Sequence, residues 1–178
     1  MTLTVLLGGA RSGKSRLAVE LAVATGAPVT FIATGEPRDE EMAARIASHR
    51  AERPAAWLTV EEPYELEAAV SAVDPSRTVV VDCLTLWTAN ALARDGEPER
   101  VLAAATSAAA AAARRDAATI AVSNEIGLGI VPMDPLGRAY RDLLGSVNGV
   151  WVEASAEAAF VVAGRALRLD SAAGLTTR

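Results

Sequence analysis

The sequence predicts an α/β domain: a mostly parallel β-sheet flanked by helices, in a single unit spanning residues 1–178. Three observations predict it. The strand-like runs are apolar throughout, as strands buried on both faces are. They alternate with helical stretches, the order that builds a parallel sheet. A glycine-rich loop joins the first run to the first helix, which marks the sheet as a P-loop NTPase-type, RecA-like one.

TVLLGG (4–9) is a short apolar run bounded by glycine, the signature of a buried strand. Over residues 14–25, Leu17, Leu21 and the alanines recur at helical spacing, and Gly26 suits the position just past a helix end. VTFIAT (29–34) reads as a second strand. Residues 39–53 read as a helix stopped by Pro54, because proline disfavours helical geometry in the residue before it. TVVVDC (78–83) is a third strand, ATIAVSNE (118–125) a fourth and AAFVVAG (158–164) a fifth. The alanine-rich run 101–113 is one helix with a thin apolar face, alanine being the best helix former. VWVEAS (150–155) pulls two ways: its residue types suit a strand, while the alanines and glutamates around it suit a helix.

The chain is long enough to bury a sizeable core. Its net charge of −5 argues against broad attraction to nucleic acid or an anionic membrane, so local positive clusters stand out as small-anion sites. The single cysteine, Cys83, excludes an internal disulfide, fits a reducing compartment and reads as a small buried hydrophobe. No segment has the length and apolarity of a membrane span. The start, MTLTVLLGG, lacks the basic residues and cleavage site of a signal peptide, so a cytoplasmic protein is expected.

Gly8, Gly9, Ala10, Arg11, Ser12, Gly13, Lys14 and Ser15 fit G-x-x-x-x-G-K-[ST]. The glycines let successive N–H groups turn into one cavity and wrap phosphate oxygens. Lys14 is expected to reach the β and γ phosphates and the Ser15 hydroxyl to bind Mg²⁺. The helix that follows adds its positive end. Such an enzyme needs a carboxylate at a neighbouring strand end, and Asp82 is placed to complete the metal site. Glu125, at the end of another strand, is a candidate base or outer partner, and sequence does not choose between these roles.

RIASHRAERP (45–54) holds the only histidine, His49, among Arg45, Arg50 and Arg53. A lone histidine is usually a surface or packing residue. A neutral ring among cations, however, suits a nitrogen that attacks a phosphate. On a helix, His49 lies one turn from both Arg45 and Arg53, and guanidinium groups hold phosphate oxygens in bidentate fashion. The partial negative charge at a helix C-terminus works the other way, stabilising an imidazolium that cannot attack.

GGARSGKS, RIASHRAERPAAWLTVEEP, VVVDCLTLW, VSNEIGLGIVP and RAYRDLLGSVN together resemble, in order, the blocks of the bifunctional adenosylcobinamide kinase / adenosylcobinamide-phosphate guanylyltransferase family. The resemblance implies a transferase of cobalamin biosynthesis. A triphosphate, ATP or GTP, phosphorylates the aminopropanol hydroxyl of adenosylcobinamide. GMP then passes from GTP, through a histidine-bound intermediate, to adenosylcobinamide phosphate. It implies His49 as the GMP carrier, with nucleotide contacts from Gly8 to Ser15, from Ala33, Thr34 and Gly35, from Arg50, Ala51, Glu52 and Arg53, and from Glu61 and Asp82. It also implies a homotrimer, a helix through VWVEAS, and a strand pair closing from AAFVVAG and ALRL. The chain departs from the family pattern at Asn148-Gly149 and in its last strands.

Two other readings stay open on the residues alone: a plain P-loop small-molecule kinase with His49 on its surface, and a nucleotide-driven regulator. Trp57, Trp87 and Trp151 are candidates to line a corrinoid surface, though aromatic residues more often pack cores. Arg114 and Arg115 read as a solvated helix end.

Overall fold

The computed structural model describes residues 3–51 and 53–172. Its elements run β1 (Leu3–Gly8), α1 (Lys14–Ala24), β2 (Val29–Ala33), α2 (Glu40–Ala51), β3 (Leu58–Glu61), α3 (Leu66–Ala72), β4 (Thr78–Asp82), α4 (Leu84–Asp95), α5 (Pro98–Ala113), β5 (Thr119–Asn124), α6 (Pro135–Ala154), β6 (Glu157–Val162) and β7 (Arg165–Arg168). The strands form one sheet in the order β3-β2-β4-β5-β1-β6-β7. All pairings are parallel except that of β6 with β7.

Side chains alternate across the sheet and both faces are buried, which is why the strands read as unbroken apolar runs. Val5, Leu7, Val79, Val81 and Ala121 pack with α3, α4, α5 and α6 on one face. Leu6, Val80, Ile120 and Val122 pack with Ala18 and Ala22 of α1 on the other. Each such Val or Leu contributes about 1.5–3 kcal/mol by leaving water.

The five expected strands, the helix at 14–25 and the closing hairpin are present. Gly26 ends α1 with φ +70°, and its amide donates a hydrogen bond to the Val23 carbonyl at 3.1 Å. VWVEAS runs as helix to Ala154, because Leu144, Val147 and Trp151 fall at helical spacing on a fully buried stripe. The second helix is shorter than 39–53: Asp39 stands before it and accepts the Met42 amide at 2.7 Å, and the helix ends at Ala51. The edge strand β3 has no counterpart in the sequence reading. Arg115 corrects another expectation. Its guanidinium donates to the carbonyls of Val70, Val73, Asp74 and Arg77, clamping the α3–β4 turn, while Arg114 is exposed. No helix of the described residues is long and apolar enough to cross a membrane.

Candidate active site at the carboxyl edge of the sheet

The phosphate loop turns off β1 where only glycine fits. A Cβ on Gly8 would run into the Val161 carbonyl of β6, and Gly13 sits at φ +101°. Arg11 also takes a positive φ, +55°. The hairpin turn between β6 and β7 props the loop from outside: the Gly164 amide donates to the Ser12 carbonyl at 2.8 Å. On the far side the Glu125 amide donates to the Gly8 carbonyl at 3.1 Å.

Lys14 is buried, and its Nζ donates to the Gly9 carbonyl at 2.7 Å and to Ser12 Oγ at 3.4 Å. Burial pulls its pKa below the ordinary lysine value. Cys83 and Asp82 pull the other way, and Arg45 adds to the lowering. Arg45 on α2 therefore acts electrostatically on the phosphate loop. Cys83 is half-buried as a residue, but its thiol is enclosed and pushed up to about 11, chiefly by burial and then by Asp82, so it is a poor nucleophile.

His49, Ser15 and Asp82 line one cleft of about 320 Å³, together with Arg16, Val19, Phe31 and Arg53. Three parts of the fold converge there: the start of α1, the end of β4 and the last turn of α2. Met42, Ile46 and His49 form the half-buried inward side of α2, and none of its residues is fully buried. Gly35 lets the helix approach, since a Cβ there would stand 3.2 Å from Leu86 of α4 and 3.6 Å from Ile46.

The remaining expected contacts lie around this cleft in different ways. The Arg53 guanidinium carbon stands over the Phe31 ring, 3.4 Å from its centre, and Phe31 stacks on Trp57 at 6.5 Å. Arg50 and Glu61 are both exposed and face each other at 3.6 Å. An exposed pair of this kind contributes little, which leaves both free to turn to a ligand. Ala51 ends α2, and Glu52 lies outside the described residues. Gly9 and Ala10 are exposed at the tip of the phosphate loop. Ala33 ends β2, and Thr34 is buried with its hydroxyl engaged by the backbone of Cys83. That hydroxyl donates to the Cys83 carbonyl at 2.7 Å and accepts the Cys83 amide at 2.8 Å, fastening the ends of β2 and β4. Glu125 does not line the cleft; its carboxylate accepts the Gly127 amide at 2.6 Å. Trp87 and Trp151 are core residues.

Sequence reasoning missed Phe31, Arg16 and Val19. Phe31 reads as an ordinary residue of a buried strand. Val19 lies one turn beyond Ser15, so helical spacing from the motif was the available signal. No group of three or more His, Cys, Asp or Glu among the described residues is arranged to hold a metal. Ser15 and Asp82 instead offer one hydroxyl and one carboxylate in the same cleft. That donor set fits Mg²⁺ held largely by substrate phosphates.

A family profile described as cobinamide kinase / cobinamide phosphate guanyltransferase matches residues 4–169. The chain is 45% identical over 161 residues to the bifunctional adenosylcobalamin biosynthesis protein CobP of Pseudomonas aeruginosa, covering 90% of this chain and 92% of that one. It is 37% identical to the bifunctional adenosylcobalamin biosynthesis protein CobU of Escherichia coli, covering 93% and 98%. Among solved structures, the flagellar accessory protein FlaH of Methanocaldococcus jannaschii superposes with a TM-score of 0.52 at 15% identity, over 95% of this chain and 78% of that one. That likeness concerns the RecA-like fold alone.

Proposed function

The chain belongs to the cobinamide kinase / cobinamide phosphate guanyltransferase family, a family of transferases, and from that premise we propose that its single histidine carries GMP between two substrates. Its relatives support a bifunctional kinase and guanylyltransferase of cobalamin biosynthesis. In the kinase step the hydroxyl of the aminopropanol arm of adenosylcobinamide attacks the γ-phosphorus of ATP or GTP, the bond to the β–γ bridging oxygen breaks, and ADP or GDP leaves as the hydroxyl proton is lost to solvent. In the transfer step a ring nitrogen of His49 attacks the α-phosphorus of GTP, the bond to the bridging oxygen breaks and pyrophosphate leaves. The phosphate of adenosylcobinamide phosphate then attacks the same phosphorus and takes GMP from the histidine, giving adenosylcobinamide-GDP.

The observation that carries this reading is the shared cleft of His49, Ser15 and Asp82. A nucleophile and a phosphate loop in one cleft allow one triphosphate to meet both. The loop amides and Lys14 would hold the β and γ phosphates, and Arg45, Arg50 and Arg53 would offset charge on the leaving pyrophosphate. Mg²⁺, held by Ser15 and Asp82, would neutralise charge on the phosphate oxygens. Attack at the γ and at the α phosphorus needs two placements of the triphosphate. The loose seat of α2, with no fully buried side chain, supports a shift of that helix between steps. A trimeric assembly and a cytoplasmic setting are parts of the same proposal.

The test is to incubate the protein with Mg²⁺ and GTP labelled at the α-phosphorus, then denature it. A bound label that is acid-labile, base-stable and absent from His49→Ala is the expected result. GTP-binding protein that takes no label would leave a plain kinase instead.

A further inference from the structure

Between β5 and α6, residues 126–133 carry no charge and expose an apolar surface, flanked by the acidic Glu125 and Asp134. Residues 126–133 read IGLGIVPM, and Leu128, Ile130, Val131 and Met133 face solvent, Ile130 and Met133 at 97% and 98% exposure. Leu136 continues the surface into α6. Isolated exposed apolar residues are ordinary, but a contiguous set of this size marks a binding surface.

The segment is held at both ends. At the first, Glu125 bonds through its amide to the phosphate-loop carbonyl of Gly8 and through its carboxylate to Gly127. At the other, the Arg138 guanidinium donates to the carbonyls of Pro132 and Met133 at 3.1 and 2.7 Å, and Asp134 accepts the Gly137 amide at 2.7 Å. Next to its end, a mostly apolar cleft of about 350 Å³ opens between α4 and the start of α6, lined by Ala89, Leu92, Leu136, Gly137 and Tyr140 together with Asp134. Asn148 bonds the carbonyl of Asn124, the last residue of β5, so the turns of α6 before Asn148 extend past the carboxyl edge of the sheet. Platform and cleft therefore stand on the side where the phosphate loop opens, which is where open α/β sheets take ligands.

Taking the acceptor to be a cobinamide, as in the function proposed above, we propose that residues 126–133, Leu136 and the adjoining cleft seat its corrin ring. The ring is a broad macrocycle with an apolar carbon framework and an uncharged amide rim, and the face opposite its adenosyl group can lie on such a platform. It suits the uncharged apolar run of residues 126–133 and is too large to share the His49 cleft with a nucleotide. Its reacting group is at the end of a flexible arm, which would cross from the platform to the phosphate loop past Glu125.

Equilibrium dialysis against adenosylcobinamide phosphate, followed by its visible absorbance, tests this with the double variant Ile130→Ser/Met133→Ser and separately with Leu136→Ser. These side chains are exposed, so the fold has no need of them. The expected result is affinity weakened about tenfold or more, equivalent to ~1.4 kcal/mol. Covalent labelling by GTP and the sedimentation coefficient should stay as in the unsubstituted protein. Unchanged dialysis curves for both variants would overturn the proposal. So would variants that alter sedimentation and corrinoid binding together, since the surface would then cover another copy of this chain. An unsubstituted protein that neither takes the GTP label nor binds the corrinoid would remove the functional reading and this inference with it. Normal labelling with intact corrinoid binding in the variants removes the inference alone.

Discussion

The Gly164 amide reaches the Ser12 carbonyl at 2.8 Å, so the turn of the last hairpin is fastened to the loop that cradles phosphate. Residues 152 positions apart in sequence thereby share one conformation. Gly164 is at φ +73°, and a Cβ there meets nothing closer than Arg16 at 3.5 Å, so the demand is on backbone conformation rather than on space. Gly164→Val should lower stability by about 1–2 kcal/mol. It should also weaken GTP binding, because the turn can no longer hold Ser12. Gly164→Asn, which tolerates this φ, should recover most of both. Thermal melts and GTP titrations of the pair decide it: equal GTP affinity in all three proteins would reduce the hairpin to a mere sheet edge.

Lys14 gives a prediction whose sign depends on pH. Folding lowers its pKa, so the unfolded chain binds the proton more tightly and the charge opposes folding at neutral pH. That opposition fades as pH rises past the folded value towards 10.5, the ordinary value. Lys14→Met should therefore raise Tm at pH 7 while abolishing phosphoryl transfer, and the gain should shrink near pH 10. Denaturation curves at the two pH values check this. A variant less stable than the parent at pH 7 would show that the bonds to Gly9 and Ser12 outweigh the burial of charge.

Arg115 sits far from the cleft and binds four carbonyls that otherwise terminate α3 and its turn. Arg115→Ala should cost about 2 kcal/mol, the scale of hydrogen bonds to a charged group. Its activity per folded molecule should be unchanged. Urea titration at constant m-value measures the first, and kcat at saturating substrate the second. Arg115→Lys should rescue little, because one ammonium cannot reach four acceptors as a planar fork does.

The same residue shows where reading from sequence stops. The phosphate loop was legible because its chemistry is local: eight consecutive residues contain the turn, the lysine and the hydroxyl. Strands β1, β2, β4 and β5 were legible because burial on both faces leaves a continuous apolar run. Arg115 was not, because the carbonyls it binds belong to residues 70–77 and meet only in the fold. β3 escaped for a related reason: it is four residues long, pairs on one side only and is mostly exposed, so its sequence carries no burial pattern. Thr34 reads as a residue beside the nucleotide but spends its hydroxyl on Cys83. Sequence position gave its neighbourhood and could not give its direction.

The seat of α2 leads to the last prediction. α1 buries Lys14, Ala18 and Ala22, and α5 buries six residues, whereas α2 buries none. Its outer contacts are the exposed Arg50–Glu61 pair and the Arg53 guanidinium over Phe31 just past its end. Local opening follows buried apolar contact, so α2 amides should exchange with deuterium well before those of α1 and α5. Binding of GTP to the arginines and to His49 should order the helix and slow that exchange, leaving α5 untouched. Peptide-resolved exchange with and without GTP reads this directly. The His49→Ala variant separates two sources of ordering: protection that survives the substitution comes from arginine contacts to the triphosphate, and protection that disappears comes from the covalent bond to GMP. An α2 as protected as α5 in the free protein would mean that the helix is fixed, and both phosphorus atoms would then have to be brought to it by movement of the nucleotide alone.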